Sequence, residues 1–445
     1  KNMKTKKIIN LLIASVVILF ASCKKDNDGT DPIPTVDCNS IENGTSMTDD
    51  CGVCQQAYIY NMVTHVPVML DDTANVELAD GDMLIMPNDP MNPYWNSGCI
   101  TAPATYYFEA MGTMGPANTV AYSGQTTRLL MAKQLVDALK NGTHDLNQLQ
   151  NMWTTGTGFA DGLDNPGKVL RSKTSASPTA SATVQVQLDD MLVNFSDEVY
   201  ANWNTDAVAG TGGEYSTGNS GRIIRINSKG MEIDQCFAKS LIGALCLDQT
   251  ANKYCEASYQ AVLNNVDRDP AEDNNATEME HKWDEGFGYV YGHFGPENIN
   301  GDLSADALLG KYLNKSGFET EKEAVFEAFK LGRAAISHSE PDAILRDAQS
   351  VIIKAEFSKV IAAKAVAYLE ESADLLETEG GFSADYFHAL SEGWGFILSL
   401  QYTDWYSNSD INAMLAELEA GDGFWSRTAT ELDEMAVSIK SVTGI

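Results

Sequence analysis

His281-Lys-Trp-Asp-Glu285-Gly286-Phe287-Gly288-Tyr289 returns 107 residues later as His388-Ala-Leu-Ser-Glu392-Gly393-Trp394-Gly395-Phe396. Both read His-x-x-x-Glu-Gly-aromatic-Gly-aromatic, and the chain has only six His in its 445 residues. Each copy follows a long run of helical apolar rhythm, Ala238-Lys239-Ser-Leu-Ile-Gly-Ala-Leu before the first and Ser358-Lys359-Val-Ile-Ala-Ala-Lys-Ala before the second. The linker to the first His is 13 residues longer than the linker to the second. A helix pair that occurs twice, over about residues 232–292 and 341–402, is the simplest account. It predicts a mainly α fold, a duplicated helical bundle.

Residues four apart share one face of a helix, so His281 with Glu285, and His388 with Glu392, can each aim two ligands at one point. If the copies pack about a pseudo-two-fold axis, two imidazoles and two carboxylates converge, a set that suits one divalent metal, iron or zinc. His281, Glu285, His388 and Glu392 are therefore the candidate metal ligands, expected within about 10 Å of one another. Trp283, Asp284, Tyr289 and Trp394 are the candidate ligand-lining residues. Asp284 is an extra carboxylate in the first copy only; Ser391 stands in its place in the second. Gly inside a helix costs on the order of 1 kcal/mol against Ala, so paired glycines imply a close approach to the backbone. A second reading stands beside this one. Each His-Glu pair can be a mutually satisfied polar pair, with the glycines admitting a partner helix and Phe287, Tyr289, Trp394 and Phe396 in the core.

Outward from the repeat, helical spacing continues over Thr126–Leu139, Leu188–Trp203, Ile233–Leu263, Glu323–Ser337, Ala343–Leu376, Tyr386–Tyr402, Ile411–Ala420 and Phe424–Val442. Strand signals are sparse, with Arg222–Ile226 the best, and Gly156–Pro178 and Ala207–Gly221 read as loops. Residues 103–445 form the predicted helical domain. Cys236, Cys246 and Cys255 lie on one predicted helix at spacings of ten and nine, so no two can bridge within it, and buried thiols are expected.

Residues 37–102 differ in character. Turn-rich text surrounds two short strand signals, Ala57–Tyr60 and Met83–Met86, and Cys38, Cys51, Cys54 and Cys99 bracket the segment. So small a module lacks core area, and two disulfides among these four are expected. A zinc knuckle is disfavoured because Cys51-Gly-Val-Cys54 has no second close pair. The segment resembles the Cys-rich spacer modules of Bacteroidota surface proteins.

At the N-terminus, Lys4, Lys6 and Lys7 precede an apolar stretch, Leu11–Ala21, too short to span a bilayer and of signal-peptide length. Leu19-Phe-Ala-Ser-Cys23 resembles a lipobox, with Phe20 in place of the usual Leu. Residues 1–22 are thus expected as a lipoprotein signal peptide, Cys23 as the lipidated residue and 23–36 as an acidic tether. Lys24-Lys-Asp-Asn-Asp28 is similar to the signal that sends Bacteroidota lipoproteins to the cell surface. The protein is expected on the outer membrane, surface-exposed, with a periplasm-facing orientation as the alternative.

The chain carries 62 acidic and 30 basic residues, a net charge of −32, which deepens to −36 once four lysines before Cys23 are removed. Such charge repels nucleic acid and anionic lipid headgroups, so the expected membrane contact is the lipid anchor, with an envelope protein as the other partner class. His-Glu-x-x-His, a phosphate loop and a Gly-x-Ser-x-Gly elbow are all missing from the sequence, and no catalytic residue is assigned.

Val120–Arg128, Asp234–Ala244, His281–Tyr289 and Phe387–Phe396 together resemble a Bacteroidota lipoprotein family, domain of unknown function 4856, over about Tyr106–Ile445. The duplicated plan is more distantly similar to imelysin-like proteins, whose pattern is Gly-x-His-x-x-Glu. That likeness implies iron uptake and, as a further class, metal-dependent peptidase activity. Met279 and Asp284 stand at the Gly and Glu positions in copy one, Tyr386 and Ser391 in copy two. The function expected is a lipid-anchored binding protein holding a metal or small ligand between the repeats; the alternative is a structural or interaction lipoprotein.

Overall fold

The computed structural model describes residues 36–61, 67–74, 76–79, 81–89, 92, 95, 99–112, 115–268 and 275–445. The expected signal peptide, Cys23 and nearly all of the expected tether lie outside them.

The N-terminal module is built from β1 (Met47–Thr48) paired with β2 (Cys54–Gln55), and from β3 (Ala57–Asn61), β4 (Pro67–Leu70) and β5 (Asp82–Ile85). The last three form an antiparallel sheet in the order β4-β3-β5, with Tyr58 opposite Met69 and Ile85. Cys38 and Cys54 are bridged, with Cα atoms 5.6 Å apart. The second expected bridge is not formed: Cys51 and Cys99 are thiols, in side-chain hydrogen-bond contact with each other. A cleft of about 750 Å³ separates Tyr58, Tyr60 and Met83 of this sheet from the helical body.

A hairpin of β6 (Glu109–Gly112) and β7 (Gly115–Asn118) leads into the helices, α1 (Ser123–Asn141), α2 (Leu146–Thr154) and α3 (Thr183–Asn194). A second hairpin, β8 (Gly213–Tyr215) with β9 (Ile224–Ile226), precedes α4 (Ile233–Leu241). Then follow α5 (Ala257–Gln260), α6 (Glu278–Tyr291), α7 (Leu309–Leu313), α8 (Glu319–Ser337), α9 (Ala343–Thr378), α10 (Ala384–Ser399), α11 (Asn408–Leu418) and α12 (Ala429–Thr443). The fold is mainly α, as the periodicity predicts.

α9 is the axis of the body. Its 36 residues span about 54 Å at 1.5 Å per residue, and α8, α10 and α12 pack along it. Ile353, Phe357, Val360, Ile361, Ala365 and Leu369 repeat at three- and four-residue spacing and are buried, which is why this stretch is a helix with one apolar face.

α4 does not stop at Leu241. It continues through two π-helical stretches, Ile242–Leu247 and Thr250–Tyr254, in which the amide of Asp248 donates to the carbonyl of Gly243 and that of Cys255 to Thr250, each five residues back. The predicted helix Ile233–Leu263 is therefore one run to Tyr254 and a short restart at α5. Glu256 makes the break, its carboxylate accepting the amides of Ser258 and Tyr259 as an N-cap.

Candidate functional site

Both motif helices start where capping dictates. Thr277 and Glu280 form a reciprocal capping box on α6, and the Ser383 hydroxyl accepts the Tyr386 amide on α10. The motif glycines sit at helix crossings. A Cβ on Gly395 would lie 2.5 Å from Lys239 Cβ, 2.8 Å from the Cys236 carbonyl oxygen and 2.9 Å from the Ser240 amide nitrogen. A Cβ on Gly286 would lie 2.6 Å from Cys255 Sγ, and one on Gly288 would lie 2.5 Å from Tyr122 Cβ. What approaches the backbone is a neighbouring helix.

These contacts fix where the two motifs lie. α10 runs beside α4, with Ser391 Oγ accepting the Glu232 amide at 2.8 Å and Ser399 Oγ accepting the Gly243 amide at 2.9 Å. α6 instead meets the far end of the same run, where Thr250 Oγ1 donates to the Gly286 carbonyl at 3.0 Å. Glu232 and Tyr254, the points at which the second and first motif engage the run, are 22 residues apart, on the order of 30 Å. The expected convergence of His281, Glu285, His388 and Glu392 on one centre is thereby corrected: one ion cannot bridge them. The sequence shows the duplication but not that both copies share one helix, each using a different half.

A local symmetry does survive. Gly286 packs on Tyr254-Cys255 as Gly393 packs on Tyr368-Leu369. In each copy the tyrosine hydroxyl reaches the motif carboxylate, Tyr254 to Glu285 and Tyr368 to Glu392. The motif is thus Tyr-Glu-His, built twice, and the tyrosines were not foreseen because they lie outside the repeated nonapeptide.

The second copy is closed. Lys239 Nζ pairs with Glu392 at 2.8 Å, Tyr312 donates to the same carboxylate at 3.3 Å, and His388 Nδ1 is 2.6 Å from Glu232 Oε2, leaving Nε2 3.9 Å from Glu392. Burial would raise Glu392, but the Lys239 ammonium and His388 outweigh it and hold the carboxyl at about 2. The first copy is more open. His281 Nε2 is 3.7 Å from Glu285, its side chain 38 % exposed against 20 % for His388. Lys282 holds Glu285 at 3.0 Å, and Lys173 donates to the Tyr254 hydroxyl at 3.1 Å. Burial opposes ionisation of Glu285, yet Lys282 and His281 bring it below the ordinary carboxylate range.

As a metal site the donor set does not fit in this arrangement. An ammonium sits on each motif carboxylate, where a cation would have to bind. Among the described residues no group of three or more His, Cys, Asp or Glu is arranged to hold an ion.

The candidate ligand-lining residues fall mostly in the core. Trp283 is fully buried, packed over Gly332, with its indole N–H donating to the Phe329 carbonyl at 3.0 Å. Trp394 is buried and donates to Glu419 at 2.9 Å. Asp284 is fully buried in a charged network: its Oδ1 accepts from the Tyr106 hydroxyl at 2.7 Å and from Arg333 Nε at 2.9 Å, and Arg333 Nη1 also pairs with Glu280 at 3.1 Å. Burial pushes Asp284 up to about 6, while the same guanidinium, against the cost of burial, holds Glu280 at about 2. That network ties the 106–119 segment, α6 and α8 together and is architecture. Tyr289 packs against the tyrosine of the first cluster, its ring centroid 6.1 Å from that of Tyr254.

Searches of curated proteins and of solved structures find no match. The model of the family described as Domain of unknown function (DUF4856) matches residues 103–445, the whole helical body with both motifs, and the chain belongs to that family.

Proposed function

We propose that the protein is a cell-envelope binding lipoprotein, anchored through Cys23, whose helical body holds a small ligand at the first copy of the motif. The observation that carries this is the inequality of two otherwise matched Tyr-Glu-His clusters. In the second, the carboxylate and the imidazole are each engaged from the neighbouring α4 region, Glu392 by Lys239 and His388 by Glu232. In the first, the half-exposed His281 and the half-buried Lys173 and Lys282 flank a partly exposed carboxylate, Glu285, set against the buried rings of Tyr254 and Tyr289. Buried polar groups that exist only for packing are expected to be mutually satisfied, as the second copy is. The lipobox-like Leu19–Cys23 supports the anchor, and the acidic residues after it support a surface location.

A second reading, an interaction lipoprotein, is favoured by the cleft between the Cys-rich sheet and the helical body. One preparation separates them: the full chain extracted from membranes, with a Cys23→Ser form recovered from the soluble fraction. Native mass spectrometry, together with zinc and iron analysis, should show a bound small species in the parent that a His281→Ala/Glu285→Gln variant loses while keeping its helicity. A parent that carries nothing, with helicity lost in the variant, leaves the motif as architecture; retention of Cys23→Ser in the membrane overturns the anchor.

A further inference from the structure

The surroundings of Tyr254 hold an excess of positive charge in a chain whose net charge is −32. The ammonium groups of Lys253, Lys173 and Lys282 lie 5.5, 5.7 and 5.9 Å from the centre of its ring. Arg128, on α1, is 95 % buried, and among the described residues no carboxylate forms an ion pair with it. Its Nε is buried without a hydrogen-bond partner, and its Nη1 makes one long bond, 3.4 Å, to the Gly124 carbonyl. The Tyr289 hydroxyl faces the same guanidinium.

Lys168 completes the group. A Cβ placed on Gly124 would lie 2.8 Å from Lys168 Nζ and 3.6 Å from Arg128 Nη1, so the glycine lets the two cations crowd against the first turn of α1. Gly124 is in the first turn of α1, a helix of 19 residues whose N-terminus has no side-chain cap, so its partial positive charge adds to theirs. Among the described residues the carboxylate that forms an ion pair there is Glu285, and it is engaged by Lys282 and His281. Burial, then Lys253 and Arg128, push the Lys173 ammonium down to about 8, the cost of crowding like charges.

A buried guanidinium without a counter-ion is strongly unfavourable, and proteins pair such groups. We infer that the partner is a ligand: Arg128, Lys168, Lys173 and Lys282, with the first turn of α1, form a site for a phosphate- or sulfate-type oxyanion, free or as the head of a small molecule. Arg128 offers a planar fork, the lysines offer point charges, and a tetrahedral oxyanion has acceptors for all of them. The inference rests on the ligand-binding reading of the first motif and names its chemistry: Glu285 orients Lys282, and Tyr254 orients Lys173.

The test uses the full-length mature chain, with inorganic phosphate, sulfate and a phosphomonoester, glycerol 3-phosphate, titrated against chloride of matched ionic strength. Calorimetric titration should show one site per chain, and thermal unfolding should shift upward in the anion. Arg128→Met and Lys173→Met should each weaken binding by on the order of tenfold or more, the loss of a charge-assisted hydrogen bond. Arg128→Met should also leave the anion-free protein as stable as its parent or more so, because it removes an unpaired buried charge, whereas a structural arginine would cost stability. Tighter binding of the monoester identifies the anion as a head group, and equal binding identifies the free ion. No binding of the three anions, or binding indifferent to both substitutions, overturns the inference. If the anions fail but the species carried by the parent is still lost in His281→Ala/Glu285→Gln, the ligand reading stands and only its oxyanion chemistry falls.

Discussion

Replacing Gly395 by Ala should destabilise the helical body, although Ala is the better helix former by about 1 kcal/mol. The added methyl would meet two main-chain atoms of α4, the Cys236 carbonyl oxygen at 2.8 Å and the Ser240 nitrogen at 2.9 Å, besides Lys239 Cβ at 2.5 Å. Neither backbone atom can rotate away, so α10 must move off α4. A radial gap of 0.5–1 Å forfeits roughly a quarter to a half of the dispersion energy across the contact, and overpacking of this kind costs about 1–3 kcal/mol, more where backbone is hit. Setting the helix-propensity gain against the upper part of that range leaves a net loss of about 1–2 kcal/mol. At roughly 2.1 cal/mol/K per residue, the 343 residues of the family region convert each kcal/mol into about 1.4 °C, so Tm should fall by about 1.5–3 °C. Gly393→Ala is the internal control: its Cβ would meet Tyr368 Cβ at 3.2 Å and backbone only at 3.8 Å, so it should stay within about 1 kcal/mol of the parent. Calorimetry or urea unfolding of the three proteins decides the matter. A Gly395→Ala protein as stable as Gly393→Ala would refute the tight-crossing account of the motif.

The charged network around Arg333 should set the acid limb of stability. Glu280, held at about 2 against an ordinary 4.5, contributes stability that is complete above 4.5 and is lost as pH falls toward 2. Asp284 is raised from 3.8 to about 6, so the native state holds its proton more tightly than the unfolded chain, and that contribution is lost as pH rises from about 4 to 6. Denaturation curves of Asp284→Asn should therefore lack the decline between pH 4 and 6 that the parent shows, and an identical decline in both would count against the assignment. Arg333→Met, which strands two buried carboxylates, should cost about 3–5 kcal/mol at pH 7. In the Cys-rich module, oxidation should join Cys51 to Cys99 and leave Cys38–Cys54 intact, as read by peptide mapping; a Cys38–Cys51 bridge would contradict the observed contacts. The Cys51 thiol, pushed up to about 12 by burial and by Cys99, should react slowly at neutral pH.

The helices were legible because apolar residues recur every three or four positions, and the structure places Ala343–Thr378, Ala384–Ser399 and Asn408–Leu418 within a few residues of their predicted bounds. Asp145 and Gln148 spell the capping box of α2, but a nine-residue helix offers too few apolar repeats to announce itself by period. The π-helical stretches after Leu241 were not legible, since an extra residue in a turn leaves no compositional mark. For the site, His281, Glu285, His388 and Glu392 were found through their repetition. Arg128, Lys168 and Lys173 stand 108–153 residues before the motif they flank and carry no pattern of their own. Arg128 lies inside Val120–Arg128, a stretch noticed for its resemblance and not for its charge. Spacing within a helix predicts which residues share a face, but which faces meet is decided by tertiary packing.

The run Ile233–Tyr254 belongs to both halves of the duplication, its first turns seating α10 and its last turns seating α6. A duplicated gene ordinarily yields two modules, each able to fold once separated. Here the packing crosses the boundary between the copies: cutting the chain there would leave α10 without its α4 neighbour in one fragment and the run's first turns bare in the other. The body should accordingly unfold in a single cooperative transition, and neither half should be autonomous.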